Sequence, residues 1–462
     1  MTVKTFRIIT LGCKVNQFES ASLKASLLDS DWSEASKNKK ADVIVVNTCI
    51  VTKTASSQSR QAIHKAIREN PSCVMAAVGC YAQVYPEELA RIPGVNLIAG
   101  NTVKDRLPGI LTQGIDPDRQ CIISEEFGEE RAFEQLSLKG FPDRTRAFLK
   151  IQDGCESFCS YCIVPFARGP LRSLKPSQAL SMLKALSSAG YKEAVLTGIH
   201  LGKYGVDLKD GITLEGLLHM IKREGFPLRI RLSSLEPNEI GEGIIEMMAE
   251  ENWLCRHFHI PLQSGDNGIL NGMNRHYTAQ TFSRLVERIR RRIPLAAIGV
   301  DVMAGFPGED LQAFQGTFSL IQDLPISYLH VFPFSPRRGT KAAGFSGHVD
   351  RESIKERAAQ LRSLGQRKKK NFHRSCLGKE FLALAEGWDS EEKKLMKGMT
   401  DNYLPAVFPS SQDLKNQLVP VVLESLEKGR VVGKPVSLSH SLLGTCLCLM
   451  FLMRSFISFC LF

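Results

Sequence analysis

The chain has 462 residues, 43% of them hydrophobic, and Lys plus Arg outnumber Asp plus Glu by 59 to 48. That is enough for about two to four domains with apolar cores, which excludes a disordered chain. The surplus of +11 favours a polyanionic partner such as RNA. Thirteen cysteines form an odd set, and the opening Met1-Thr2-Val3-Lys4-Thr5-Phe6 has no secretory pattern. A disulfide framework is therefore not expected, and a reducing cytosol is.

Residues 6–11, 43–48 and 74–78 read as short apolar strands, with helical patterns around 18–28 and 54–69 between them. Alternation of this kind predicts a parallel sheet with right-handed crossovers. Gly12-Cys13, Cys49 and Gly79-Cys80 each follow one of these strands. In such sheets ligands gather outside the carboxyl ends of the strands, so Cys13, Cys49 and Cys80 project from one edge, where they could meet on one metal. Cys73 sits at the amino end of the third strand, and Cys121 lacks a strand-end position; both are read as structural.

Next comes Asp153-Gly154-Cys155-Glu156-Ser157-Phe158-Cys159-Ser160-Tyr161-Cys162. Three thiolates at C-x3-C-x2-C spacing can grip three irons of a four-iron cube and leave the fourth iron open to a small molecule. A zinc knuckle would want two pairs of ligands, and no fourth Cys or His lies nearby. Strand-like runs then recur at Ala147–Ile151, Glu193–Thr197, Arg229–Ser234, His257–Leu262, Ile298–Met303 and Tyr328–Phe334. Helical patterns such as Ser177–Ala189, Leu214–Arg223 and Ala279–Arg292 fill the gaps. Six strand–helix repeats predict a partial (β/α)6 barrel, whose chemistry collects at the carboxyl ends of its strands. Thr197-Gly198-Ile199-His200, Ser233-Ser234, Gln263-Ser264-Gly265 and Gly305-Phe306-Pro307-Gly308-Glu309 stand at such ends. His200, His257 and His259 are read as satisfied core histidines rather than metal ligands.

Arg351–Arg374 reads as a basic helix, and from about Gly378 short strands at Glu380–Ala385, Asn402–Val407 and Val419–Leu423 predict a small antiparallel β-barrel. Leu442–Phe462 is almost wholly apolar apart from Arg454. About 20 such residues can span a bilayer, so this tail is either a membrane tether or a non-functional extension. Cys446, Cys448 and Cys460 in it read as apolar filler.

Thr10-Leu11-Gly12-Cys13-Lys14-Val15-Asn16-Gln17, Val46-Asn47-Thr48-Cys49 and Val78-Gly79-Cys80-Tyr81-Ala82-Gln83, followed by the Cys155 triad, resemble the radical S-adenosylmethionine (SAM) methylthiotransferases. The resemblance runs to about residue 436. It implies a Rossmann-like N-terminal domain (1–115), a linker (116–140), a radical SAM barrel (141–372), an RNA-binding TRAM-like barrel (373–436) and the tail (437–462). It also implies two [4Fe-4S] clusters, one on Cys13, Cys49 and Cys80 and one on Cys155, Cys159 and Cys162, with SAM held near Tyr161, Thr197, Gly198, Ser234 and Gln263. Cys13-Lys14-Val15-Asn16-Gln17, Thr48–Lys53 and Leu196–Gly202 look most like the branch acting on N6-threonylcarbamoyladenosine. That implies methylthiolation at C2 of this nucleoside at position 37 of tRNA, beside the anticodon. The partners would be a tRNA anticodon stem-loop, an electron donor and a sulfur donor. Because the threonylcarbamoyl group is anionic, a basic side chain should line its pocket; Lys14, Lys53, Arg60, Arg168 and Arg172 are candidates. The alternatives are the same chemistry on a ribosomal-protein aspartate, and a non-catalytic iron–sulfur RNA-binding or electron-transfer protein.

Overall fold

The computed structural model describes residues 3–36, 39–128, 133, 140, 144–390 and 394–436. The apolar tail lies outside them, and among the described residues no helix is long and apolar enough to cross a membrane. Two compact units divide the chain, Met1–Lys369 and Lys370–Phe462.

The first unit opens with a six-stranded parallel sheet. Its spatial order is Ser33–Glu34, Thr5–Thr10, Val43–Thr48, Val74–Gly79, Leu97–Ala99 and Cys121–Ile123. Val43–Thr48 is buried throughout, as a strand covered on both faces must be. Alternate side chains feed two cores: Ile44, Val46 and Ala77 on one face, Val43, Val45, Ala76 and Val78 on the other. The three strands read from the sequence are its centre. The flanking strands are two or three residues long, too short to carry a periodic signal, and one of them lies within the segment expected as a linker. Cys73 is buried just before Val74–Gly79, and Cys121 is exposed at the start of the last strand.

Six parallel strands follow: Arg146–Lys150, Glu193–Thr197, Arg229–Leu232, His257–Gln263, Ala297–Ala304 and Tyr328–Pro333. They form two three-stranded sheets, joined where the Ile230 backbone bonds Trp253 and Cys255 at 2.7 and 2.8 Å, just before the fourth strand. The result is a partial barrel with a seam at its middle. One continuous apolar core lies between strands and helices, including Leu149, Val195, Ile230, Ile260, Val300 and Phe282.

A buried carboxylate fixes neighbouring barrel strands. Glu193 accepts from Arg229 Nε at 2.6 Å and from Arg231 Nε at 2.8 Å. Burial alone would raise the Glu193 carboxyl, but Arg231 and Arg229 overcome it and hold it at about 2.

The second unit is a closed five-stranded barrel, in the order Glu380–Trp388, Leu395–Thr400, Pro405–Pro409, Arg430–Pro435 and Leu418–Glu427. Four of its five pairings are antiparallel and Pro405–Pro409 with Arg430–Pro435 is parallel, which the expectation of a wholly antiparallel barrel did not include. Gly398 is a packing residue here: a Cβ would fall 2.9 Å from Phe408 Cε1 in the core. The strand expected at Asn402–Val407 begins at Pro405, because buried Asn402 belongs to the preceding turn, where Thr400 Oγ1 donates to Asn402 Oδ1 at 2.6 Å.

Glu193→Gln should destabilise the first unit by about 3–5 kcal/mol, since it strips the charge that compensates two buried guanidinium groups. The depressed carboxyl also sets a pH window. Its stabilisation is complete above the ordinary value of 4.5 and is lost as pH falls from there through about 2. Denaturant midpoints of wild type and variant, measured between pH 7 and roughly pH 3, should converge toward the acid end.

Candidate functional site

Three cysteines meet at the carboxyl edge of the first sheet. Cys13 is the N-cap of the helix Lys14–Asp29, Cys49 follows Val43–Thr48, and Cys80 opens the helix Cys80–Val84. Gly12 (φ +90°) lets the first two approach, because a Cβ there would stand 2.8 and 2.9 Å from Cβ and Sγ of Cys49. Asn16 Nδ2 ties their loops together by donating to Leu11 O at 2.8 Å and Thr48 O at 3.0 Å. Ser59 Oγ accepts from the Cys49 amide at 3.1 Å, and Asn101 Nδ2 donates to Cys80 Sγ at 3.4 Å. Burial and the neighbouring Cys80 and Cys13 push the Cys49 thiol up to about 12, and burial raises Cys13 against the pull of Arg168. Three thiols gathered at one sheet edge are a donor set of the right chemistry for an iron–sulfur cluster, whose binding would have to displace their protons.

The second triad lies on the loop after the first barrel strand. Gly154 (φ +78°) makes its entry possible, since a Cβ would stand 1.7 Å from the Pro170 carbonyl oxygen. The Cys155 amide donates to Gly169 O at 3.0 Å and the Cys162 amide to Cys159 O at 2.9 Å. Each sulfur has its own neighbours. His200 Nδ1 lies 3.6 Å from Cys155 Sγ and 3.2 Å from Ser157 Oγ, while its Nε2 meets Glu239 Oε1 at 2.6 Å. Arg275 Nη1 donates to Cys159 Sγ at 3.3 Å and also pairs with Glu236. Burial raises the Cys155 thiol, but His200 and the Ser157 amide outweigh it and bring it below the usual value. Burial and Cys159 push Cys162 up to about 12. Tyr161 packs edge-on against Phe306, ring centroids 6.4 Å apart, in an apolar cluster with Ile269, Met273 and Phe334.

The barrel strand ends stand around this loop. The Thr197 carbonyl accepts from the Ile151 amide at 3.0 Å, and a Cβ on Gly198 would meet Gln152 Oε1 at 2.8 Å. That oxygen accepts from the His200 amide at 2.6 Å. Ser234 is exposed, and Ser233 is buried with its hydroxyl unpartnered. Gln263 sits at a bulge with φ +62°, a strained conformation for a residue with a side chain. These positions stand at carboxyl ends of the barrel strands, where ligands of such barrels gather.

A buried ion network joins the two triads. Arg168, on the helix Val164–Arg168 that follows Cys162, donates to Glu19 Oε1 at 2.5 Å, Asn16 Oδ1 at 2.5 Å and Asp153 Oδ2 at 3.4 Å. Lys150 bridges Glu19 at 3.1 Å and Asp153 at 3.0 Å; Lys104 pairs with Glu19, and Arg172 reaches Asp153 at 3.5 Å. Four cations thus face two carboxylates, all almost completely buried. Burial would raise both carboxyls, yet the cations hold Glu19 and Asp153 well below the usual range. Arg168 also acts electrostatically on Cys13 and Cys80. The positive excess fits a negatively charged thiolate-bound cluster beside it.

The basic candidates therefore separate. Arg168 and Arg172 are engaged inside the network, and Lys14 is held near Arg146, Arg231 and Asp301. Lys53 and Arg60 line an open cleft. His257 Nε2 meets Tyr328 OH at 2.7 Å and His259 Nε2 meets Asp301 Oδ1 at 2.8 Å. His330 joins Asp301 at 3.3 Å. The Arg168 network and the Arg275 and His200 contacts had no local signature, because they join residues up to 152 positions apart.

A cleft of about 830 Å³ opens beside Cys155. Phe127, Phe158, Phe166, Gln83, Tyr85 and Arg338 are among its lining residues, with Glu125, Glu126 and Glu156. It has the size and apolar walls for a planar ring and leads to one triad past residues that follow the other.

Comparison with known proteins agrees with this geometry. The description "Uncharacterized protein family UPF0004" matches residues 5–100 and "Radical SAM superfamily" matches residues 149–321. The threonylcarbamoyladenosine tRNA methylthiotransferase MtaB of Bacillus subtilis (strain 168) is 38% identical, covering 89% of this chain and 92% of that protein. MtaB of Aquifex aeolicus (strain VF5) is 39% identical over 86% of this chain and 94% of its own. The tRNA-2-methylthio-N(6)-dimethylallyladenosine synthase of Moorella thermoacetica is 32% identical over 94% and 98%. Among solved structures, the radical S-adenosylmethionine methyltransferase TsrM from Kitasatospora setae, with cobalamin and a [4Fe-4S] cluster bound, shares the fold. Its TM-score is 0.52 at 15% identity, over 72% of this chain and 75% of that one.

Gly12→Ala should force Cys13 and Cys49 apart while leaving the Cys155 loop untouched. Iron counting after anaerobic reconstitution should then show roughly half the wild-type content, the loss expected when one of two cubes fails to assemble.

Proposed function

Because the chain belongs to the radical SAM methylthiotransferases, we propose that it adds a methylthio group to C2 of N6-threonylcarbamoyladenosine at position 37 of tRNA, giving 2-methylthio-N6-threonylcarbamoyladenosine. It is a radical SAM enzyme that transfers a sulfur-containing group and uses SAM and [4Fe-4S] clusters. The observation that carries the reading is the convergence of two cysteine triads, bridged by one buried ion network, beside a single aromatic-walled cleft. An unactivated aromatic C–H lies beyond the reach of side-chain acids and bases, so two metal centres serving one substrate have a chemical reason.

In this reading Cys155, Cys159 and Cys162 hold one cluster and Cys13, Cys49 and Cys80 the other. When bound, the clusters and SAM supply the one-electron chemistry and the sulfur. The protein's own residues do the rest. Arg275 donates to Cys159 and His200 approaches Cys155, so both sulfurs sit in fixed polar surroundings. Thr197, Gly198, Ser234 and Gln263 offer SAM backbone and side-chain polar groups at the barrel edge, beside Tyr161 packed in its apolar cluster. Phe127, Phe158 and Phe166 offer faces on which a base can stack. Arg168 balances charge between the centres.

The closed five-stranded barrel of the second unit supports RNA binding by its architecture, and the anticodon stem-loop is the RNA proposed. An electron donor and a sulfur donor are required by the stoichiometry of the reaction.

The test is turnover by anaerobically reconstituted protein on a threonylcarbamoylated anticodon stem-loop. Methylthio product is expected from it, and not from the unmodified or dimethylallylated loop. Product from the dimethylallylated loop alone would overturn the substrate assignment. Cys155→Ala should abolish SAM cleavage, whereas Cys49→Ala should spare cleavage and stop thiolation. Thiolation by the Cys49 variant would refute the division of labour between the triads.

A further inference from the structure

A second cleft, of about 630 Å³, shares Tyr85 and Arg338 with the first. Its lining is strongly basic: Lys53, Arg60, Arg337, Arg338 and Arg351 face one carboxylate, Glu88. Several of these charges are already engaged. Glu88 accepts from Tyr81 OH at 2.5 Å, and that hydroxyl in turn accepts from Arg60 at 2.6 Å. Arg338 lies over the Tyr85 ring at 4.6 Å and pairs with Glu87.

Arg337 is different. It is only 8% exposed, donates from Nη2 to Ser56 Oγ at 2.7 Å, and leaves its buried Nε without a hydrogen-bond partner. An unpaired buried donor is costly, and Arg337 lines the cleft alongside Lys53 and Ser56. Two helix N-termini add to the same field. Lys53 and Ser56 belong to the first turn of Lys53–Glu69, and Arg351 and Ile354 to that of Arg351–Ser375, where Asp350 caps the Ser353 amide at 2.9 Å.

We propose that Arg337, with Lys53 beside it, forms an oxyanion-binding site for the RNA substrate. The inference rests on the tRNA reading above and deepens it. The guanidinium fork suits a planar carboxylate or a phosphate oxygen pair. Two groups of one substrate carry that chemistry: the threonylcarbamoyl carboxylate, attached to the base that enters the adjoining cleft, and a phosphate of the anticodon loop. Tyr85 and Arg338 line both clefts, so the site adjoins the one proposed to receive the base.

The experiment compares wild type, Arg337→Gln and Lys53→Ala, with Lys53 chosen because it is exposed and its loss should not disturb folding. Binding and kcat against KM are measured on the threonylcarbamoylated stem-loop and on its methyl ester, which removes only the carboxylate charge. SAM cleavage without RNA serves as the readout that should not move. A loss of about 10- to 100-fold in affinity for the acid substrate, absent for the ester, assigns the site to the carboxylate. An equal loss on both, with a shallower salt dependence, assigns it to a phosphate. Unchanged affinity for both RNAs in both variants, with SAM cleavage intact, overturns the proposal. If wild-type protein turned over no threonylcarbamoylated RNA, the proposed function would fail on its own, and the oxyanion site would still be judged from binding of the same RNAs.

Discussion

Glu19 and Asp153, buried together with Arg168, Arg172, Lys104 and Lys150, are the constraint on which the rest of the site depends. Removing so many charges from water is unfavourable unless each finds partners of good geometry, and here every member has at least one. The network is also a ruler. Asp153 precedes the Cys155 loop by two residues, Arg168 follows Cys162 by six, and Asn16 follows Cys13 by three. Locking these three points together fixes the separation of two cysteine-bearing loops that belong to different sheets. A bistable or sliding interface would break several buried ion pairs at once, so the two sheets are held as one body around the cleft.

The two neighbouring clefts differ in lining: phenylalanine rings with Glu125, Glu126 and Glu156 stand around one, and mostly cationic side chains around the other. Phenylalanine rings wall the one beside Cys155, where water must be kept from reactive chemistry. Guanidinium and ammonium groups wall the other, where an anion would gain from pre-oriented donors. Tyr85 and Arg338 stand in both walls, the ring stacked under the cation. A substrate carrying both a flat base and a negative charge would satisfy the two clefts together.

Backbone conformations that ordinary residues avoid occur in both cysteine loops and at one barrel strand end, as they do in turns elsewhere in the chain. Gly12 and Gly154 are positions at which a Cβ would collide with Cys49 or with the Pro170 carbonyl. Gln263 holds a left-handed conformation at a strand bulge without being glycine, and Phe158 does so between two cysteines. The surrounding barrel over-determines these turns through bonds such as Ser160 Oγ to Gly272 O at 2.7 Å. Rigid scaffolding of the loop is what lets its three thiols keep their spacing.

Sequence alone determined the identity of the chemistry. Cys155, Cys159 and Cys162 carry their meaning in local spacing, and the strands before Cys13, Cys49 and Cys80 could be read because central parallel strands are continuous apolar runs. The six barrel strands were legible for the same reason, with ends displaced by a residue or two. Short edge strands such as Leu97–Ala99 were not, since three residues hold no period. Tertiary structure decided which basic residues line an open cleft and which face carboxylates. Arg168 and Lys53 are alike in sequence as isolated cations near a cysteine motif, but one is sealed against Glu19 and the other lines an open cleft. Arg337 drew no notice in the chain, because its significance lies in Ser56, 281 residues away, and in a buried donor left open. Charge pairing across such distances depends on how sheets and loops pack, and packing is a property of the folded chain rather than of any local run of residues.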